Sequence, residues 1–475
     1  MPLLSFWGSV ARGAAFVILV SVILPCLPGT ALAQDVRVAK DQIELTLPQA
    51  RQLAAQALAA GRPDLAVQLA SGLLAADPES SYAHFVLANA YAQQGRSRTA
   101  RKSASRAYRY ADTPSHRFEA AELAARISYV EKRPTLTQLW LRRAAHYAPD
   151  AQVEEQLGKD FARVRAENPL YFSLRGGIRP SSNVNNGADT AFQIIDGIPF
   201  VGTLSGRARA LSGVILNFDG ILRYRLRGSA RSRTDLTSRL YVQRVLLDGN
   251  SKERAPEVSN SDFGTTYAEV GLRHAFAIGE EGDSGILDFA LGQYWTGGRK
   301  NYSFGRLSGE RRWQLTPQTE FIVDASIERR LSAFRARFDS TAYGLVMSAR
   351  HKLKSGDGLF LSLNLRKTDS RFVNSRVNTA AVQASYNFGE QIGPVFVSAG
   401  MVLGYSDYPD FIALFEVPGG RQDKSAYADV NLFFPDIDYG GFAPTLRIRA
   451  GRKYSNVSRY DTRELSVSLG IQSKF

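Results

Sequence analysis

The sequence predicts an α plus transmembrane β fold class: N-terminal TPR-like helical repeats followed by a 14-stranded antiparallel outer-membrane β-barrel. Three observations predict it. Apolar residues recur at three and four over residues 48–165, they recur at two from 169 to 475, and the chain opens on a short basic-then-apolar segment suited to export.

The opening segment comes first. Arg12 precedes the apolar run GAAFVILVSVIL, and ALA stands at 31–33, so residues 1–33 read as a signal peptide cleaved after Ala33. The run is too short to span a bilayer as a helix. Cys26 follows Pro25 instead of a small residue, which argues against lipidation, and it is the only cysteine. A mature chain without cysteine has no disulfides, thiolate metal sites or thiol nucleophiles. The net charge of +14 would suit nucleic acid in a cytosolic protein. In an exported one it points to lipid headgroups or lipopolysaccharide phosphates, with plain solvated loops as the alternative.

Residues 48–165 read as a periplasmic helical domain rich in Ala, Leu, Gln and Arg. AGRPDLAVQLA aligns with QGRSRTARKSA so that Gly61 lies over Gly95 and Ala66 over Ala100, each 34 residues apart, which is tetratricopeptide spacing. Small residues serve where paired helices cross closely, and Gly or Pro where each hairpin turns. A degenerate third unit follows with Ala125, Ser128, Ala144 and Pro149. Such arrays present a concave surface to a peptide or protein; the alternative is a spacer or lid.

Asn168-Pro169 ends the helical pattern, because proline disfavours a helical residue before it. From 169 to 475 no helix is expected. LFLSLNLRK at 359–367 alternates cleanly, with Leu361, Leu363 and Leu365 against Ser362, Asn364 and Arg366, and fourteen such stretches can be marked out. Long connections such as SSNVNNGADTAFQIIDGIPFVGTLSGR fall after odd strands and short ones such as LTP after even strands. An exported chain entering the first strand from the periplasm would then hold its long loops outside. The last stretch, with Leu469 and Ile471 on its apolar face and Phe475 at its end, matches the insertion signal read by the barrel-assembly machinery.

Two stretches carry a family resemblance. YFSLRGGIRPSSNVNNG, with Ser182, Asn183, Asn185 and Asn186, resembles the first barrel strand of the Slam family, the surface lipoprotein assembly modulators. The closing FAPTLRIRAGRKYSNVSRYDTRELSVSLGIQSKF, with Pro444, Ser455, Asn456 and Tyr460, resembles that family's last hairpin. The resemblance implies an outer-membrane translocon whose periplasmic repeats receive a client, either a surface lipoprotein or a secreted haem-acquisition-type protein. The middle strands match poorly. Asn183 and Asn185 also suit plain turn chemistry.

Chemistry is sparse. The five histidines are scattered, no metal-ligand spacing is evident, and neither a nucleophile elbow nor a phosphate loop occurs, so no enzyme and no cofactor is expected. If the leucine faces meet lipid, Arg223, Arg225, Asp324, Arg366, Arg447 and Arg449 line the lumen, where they either pair into a rigid plug or border a wet path. The expected partners are an exported client protein, the barrel-assembly machinery, and lipopolysaccharide or lipid, with no nucleic acid and a monomeric barrel. A polysaccharide-export porin with similar repeats is the rival reading.

Overall fold

The computed structural model describes residues 45–196, 198–279, 282–437 and 442–473. The expected signal peptide at 1–33 and the terminal Phe475 lie outside the described residues.

Seven helices pack as successive antiparallel hairpins: α1 (Leu47–Ala59), α2 (Pro63–Ala76), α3 (Ser81–Gln93), α4 (Ser97–Tyr110), α5 (Pro114–Val130), α6 (Pro134–His146) and α7 (Ala151–Glu167). Their starts are written locally. Thr113 and Asp150 accept hydrogen bonds from the backbone N–H groups of His116 (3.2 Å) and Val153 (2.8 Å), and proline occupies the first turn of α2, α5 and α6. The close crossings are made by alanine: Ala66, Ala70, Ala88, Ala100, Ala104 and Ala124 are fully buried. Larger side chains, Trp140, Leu157 and Phe161, fill the widening end of the core near α7.

Gly61 and Gly95 end the first and third helices with φ of +66° and +72°. These are the left-handed positions that glycine adopts without cost. The third hairpin places Lys132 there instead, at φ +55°. That substitution, together with an α5 of 17 residues against 13 in α1 and α3, goes with the degenerate look of the third unit.

After α7, only Asn168 and Pro169 precede the first strand. Asn168 is buried, donates to Thr135 Oγ1 and Gln138 Oε1 (both 3.1 Å), and accepts from the Leu170 N–H (3.0 Å). One side chain thus ties α6 to the start of the sheet.

Fourteen antiparallel strands close into a barrel: β1 (Leu170–Ser181), β4 (Gly213–Gly228), β5 (Ser232–Leu247), β6 (Thr265–Ala277), β7 (Ser284–Thr296), β8 (Arg299–Thr316), β9 (Thr319–Ser332), β10 (Ser340–Lys352), β11 (Gly358–Ser370), β12 (Val377–Asn387), β13 (Phe396–Tyr408), β14 (Arg421–Phe433), β15 (Phe442–Ser455) and β16 (Thr462–Ser473). Closure is made by β1 on β16, with Gly177 opposite Gly470 and Ser181 opposite Ser466. Leu287, Leu361 and Leu469 point outward and are 54%, 55% and 58% exposed. A belt of such residues has no favourable partner in water and is the lipid face of an outer-membrane-type barrel. Among the described residues no helix is long and apolar enough to cross a membrane.

The long first connection is more structured than the sequence suggests. It holds a separate hairpin, β2 (Phe192–Ile195) with β3 (Ile198–Thr203), and the connection after β5 holds a short helix, α8 (Gly249–Arg254). The expectation of no helix beyond residue 169 misses α8, which is a single capped turn begun by Asp248 and too short to show periodicity.

Two outcomes follow for the helical domain. His84 is buried, its Nε2 donates to the Pro78 carbonyl (3.2 Å), its Nδ1 meets no partner, and burial holds its pKa below the ordinary value. The unfolded chain therefore takes up the proton first, so helix stability falls as pH drops below the ordinary imidazole pKa of about 6.5. Thermal melts followed by circular dichroism should show this, and His84→Gln should flatten it. Lys132→Gly, relieving the left-handed residue, should raise stability by about 1 kcal/mol in chemical denaturation.

Candidate functional site

The candidate site is the lumen with its two mouths. Alternation decides what lines it: because Leu222, Ile327, Leu365 and Ile448 face outward, Arg223, Glu328, Arg366 and Arg447 face inward. On β5–β11 most inward charges form pairs, one of them with Asp219 of β4. Arg239 grips Asp219 with two hydrogen bonds (2.9 and 3.0 Å), Arg273 meets Asp288 (3.0 Å), and Arg312 bridges Glu310 (3.0 Å) and Glu320 (2.9 Å). Glu328 is the hub of the largest group. It is buried and draws in Arg330 (2.6 Å), Arg366 (3.5 Å) and Arg306 (3.6 Å), while Arg306 also reaches Glu269 (2.6 Å).

These pairs do not fill the lumen. The side chains of Arg239, Arg366 and Arg447 keep 42%, 41% and 45% of their exposure while ion-paired, so they border solvent. Among the described residues the lumen wall is charged and partly solvent-exposed.

The residues singled out from sequence separate into three kinds. Arg366 and Arg447 sit in ion pairs, the latter with Asp429 at 2.8 Å. Asp324 lies directly opposite Glu310 in the β8–β9 register, an unfavourable like-charge pairing, and has no ion pair among the described residues. Arg223, Arg225 and Arg449 also have no acidic partner there. The Arg306–Glu269–Glu328 hub was not anticipated: its signal is inward charge on β8, β6 and β9, which only the register brings together.

An aromatic wall stands beside that hub. Tyr267 stacks on Phe304 (centroids 5.4 Å apart) and Tyr294 on Tyr302 (5.3 Å), with the Arg330 guanidinium 4.9 Å from the Tyr302 ring. Gly292 makes this possible, since a Cβ there would stand 2.4 Å from the Phe304 ring.

The mouth at the long-loop end is bound by the motif residues of the first and last strands. Asn185 accepts from the Leu211 N–H (2.9 Å) and donates to the carbonyls of Arg207 and Arg209, Asn183 exchanges two hydrogen bonds with Gly187 (2.8 Å each), and Asn186 takes φ +53°. Ser182 Oγ accepts from the Leu465 N–H (3.4 Å) across the closing seam. Asn456 accepts from the Gln422 N–H and donates to the Gly420 carbonyl (2.8 Å each), and Ser455 Oγ accepts from the Val457 N–H. Tyr460 and Tyr408 sandwich the buried Arg421 guanidinium, 3.6 and 3.7 Å from it, and Asp423 takes two hydrogen bonds from it (3.1 Å each). These side chains hold loop backbones. Pro444 sits within β15 opposite Ile471, and the Leu469 and Ile471 side chains face outward.

The other mouth meets the helices. Arg142 lies between the Phe161 ring of α7 and the Phe442 ring of β15 (4.8 and 5.0 Å), Arg165 and Arg223 both stack on Tyr171, and Arg225 donates to the Ala166 carbonyl at the end of α7 (3.0 Å). A cation there also suits the negative end of the helix dipole. Among the described residues, no group of three or more His, Cys, Asp or Glu is arranged to hold a metal ion.

Comparison with known proteins adds the repeat family. A tetratricopeptide repeat model matches residues 57–123. No curated protein matches the sequence significantly. Among solved structures, the Yersinia enterocolitica type III secretion translocator chaperone SycD is 15% identical over 26% of this chain and 88% of its own, at a TM-score of 0.24. Acinetobacter baumannii OccAB3 is 9% identical over 63% of this chain and 98% of its own (TM-score 0.36), and an outer membrane channel from Pseudomonas putida F1 is 10% identical over 63% and 95% (TM-score 0.33). The chain is thus a tetratricopeptide-repeat domain joined to a closed 14-strand barrel of outer-membrane type.

Proposed function

We propose that this protein is an outer-membrane translocon of the Slam kind, assisting export or surface display of a client protein. The single observation that carries the reading is the junction: a peptide-binding type of repeat is fixed directly on one mouth of a charge-lined barrel, through Asn168, Arg142 and Arg225. A barrel serving only small solutes has no use for that attachment. The helical domain works in the periplasm, the long loops face outward, and the client is a surface lipoprotein or a secreted haem-acquisition-type protein. The protein acts without catalysis or a cofactor, as a monomeric barrel inserted by the barrel-assembly machinery among lipopolysaccharide and lipid, and does not bind nucleic acid. The free energy for transport comes from client folding or binding outside, since no nucleotide is available there.

A polysaccharide-export porin is the second reading, favoured by the half-buried lumen tyrosines Tyr267, Tyr294 and Tyr302, rings against which sugars can stack. Against it stands the short repeat array. Quantitative proteomics of surface-shaved peptides and culture supernatant, with and without the gene, separates the two. The expected outcome is selective loss of one or two exported proteins with their periplasmic levels kept or raised. Unchanged protein export with a fall in secreted sugar would replace the translocon with the porin.

A further inference from the structure

Most inward charges on β5–β11 are paired, but four arginines near the closing seam are not. Arg175 on β1, Arg223 and Arg225 on β4, and Arg449 on β15 form no ion pair among the described residues, and Nε of Arg225 and of Arg449 is buried without an acceptor. Arg449 and Arg175 lie near the middle of their strands. Arg223 and Arg225 lie toward the end of β4 that meets α7. Together they descend from mid-lumen to the helical mouth.

Between them runs a low floor. The middle inward positions of β16 are Ser466, Ser468 and Gly470, lying opposite Arg449, Arg447 and Thr445 of β15, and the next inward residue, Glu464, is held by Arg179 of β1 (2.5 Å). Two strand spacings separate β15 from β1, so this trough is about 10 Å wide. That width and the small floor admit an extended polypeptide, whose side chains would meet Arg449 level with Ser466 and, further along, Arg175 on the opposite bank. The wall seven strands from β14–β16 is instead balanced: on β7–β9, Asp288 and Glu310 are paired with Arg273 and Arg312, and Arg306 and Arg330 stand among the acids. An acidic chain finds cations already paired there and unpaired ones here. The planar guanidinium fork is matched to carboxylates, and in a confined passage such bonds are strengthened.

We propose that these arginines are a guide rail for acidic, carboxylate-bearing segments of the passing polypeptide, leading from the helical mouth to mid-lumen. The inference rests on the translocon reading for its substrate, but its test does not need the client. Fluorescence anisotropy of a labelled oligoglutamate is measured against the full chain in detergent, with oligoglutamine as the neutral control and polyphosphate as the alternative anion. Arg175→Gln, Arg223→Gln and Arg449→Gln are combined, leaving Arg225 to hold α7, and the corresponding lysine substitutions form the conservative set. Oligoglutamate should bind in preference to oligoglutamine, weaken by at least about tenfold in the glutamine set, and be largely restored in the lysine set. Heat-modifiable gel mobility checks that each variant is folded; should the triple set not assemble, Arg175→Gln and Arg449→Gln singly should each show part of the loss. Equal binding of oligoglutamine, or unchanged affinity in the glutamine variants, overturns the proposal. Loss of polyphosphate binding alone overturns it too, assigning the rail to phosphate. Because the probe is synthetic, a failure here is distinct from a failure of client export.

Discussion

Everything in the barrel depends on one constraint: a strand in lipid must satisfy every backbone N–H and C=O on its neighbours, so the sheet has no permissible edge. Closure of β1 on β16 meets that need, and it fixes the remaining geometry. Once the sheet closes, alternate residues are committed to opposite solvents. Leu361 must meet lipid, and Ser362 must meet the lumen. The arginine-rich interior follows: charges excluded from the belt gather inside, where register decides which become pairs.

Fourteen barrel strands were legible because each carries its own alternation, which needs no knowledge of neighbours. The Leu361 to Leu365 series shows its two faces in sequence alone. The hairpin β2–β3 and the helix α8 were not legible, since each is too short to repeat a pattern and is held by other loops. Ile195 is buried against Phe411, Val417 and Val457, residues far away in the chain. The lumen was legible as a set of inward charges and not as a circuit. Nothing in the sequence says that Arg366 reaches Glu328 across an intervening strand. The residues of the first and last strand motifs illustrate a different limit: Asn185 and Asn456 attract notice as functional candidates, but the structure places them as staples of loop backbone.

The helical region shows how a degenerate repeat keeps its shape. The turn after α5 retains the left-handed geometry of its predecessors although lysine has replaced glycine, because the alanine-lined crossings on both sides fix the hairpin. Packing here overrides local preference. The same alanines explain why apolar periodicity was readable in a region whose helices bury few large side chains.

The brevity of the joint between α7 and β1 has a consequence for capture. A flexible linker of ten residues would let the repeats wander about 17 Å from their anchor, diluting anything they hold over that volume. Asn168 and Pro169 allow no such excursion, and Arg225 pins the Ala166 carbonyl near the end of α7 to the barrel wall. On the proposed translocon reading, a client held by the repeats would be kept at a high effective concentration beside the opening, and its step into the barrel would be an intramolecular event.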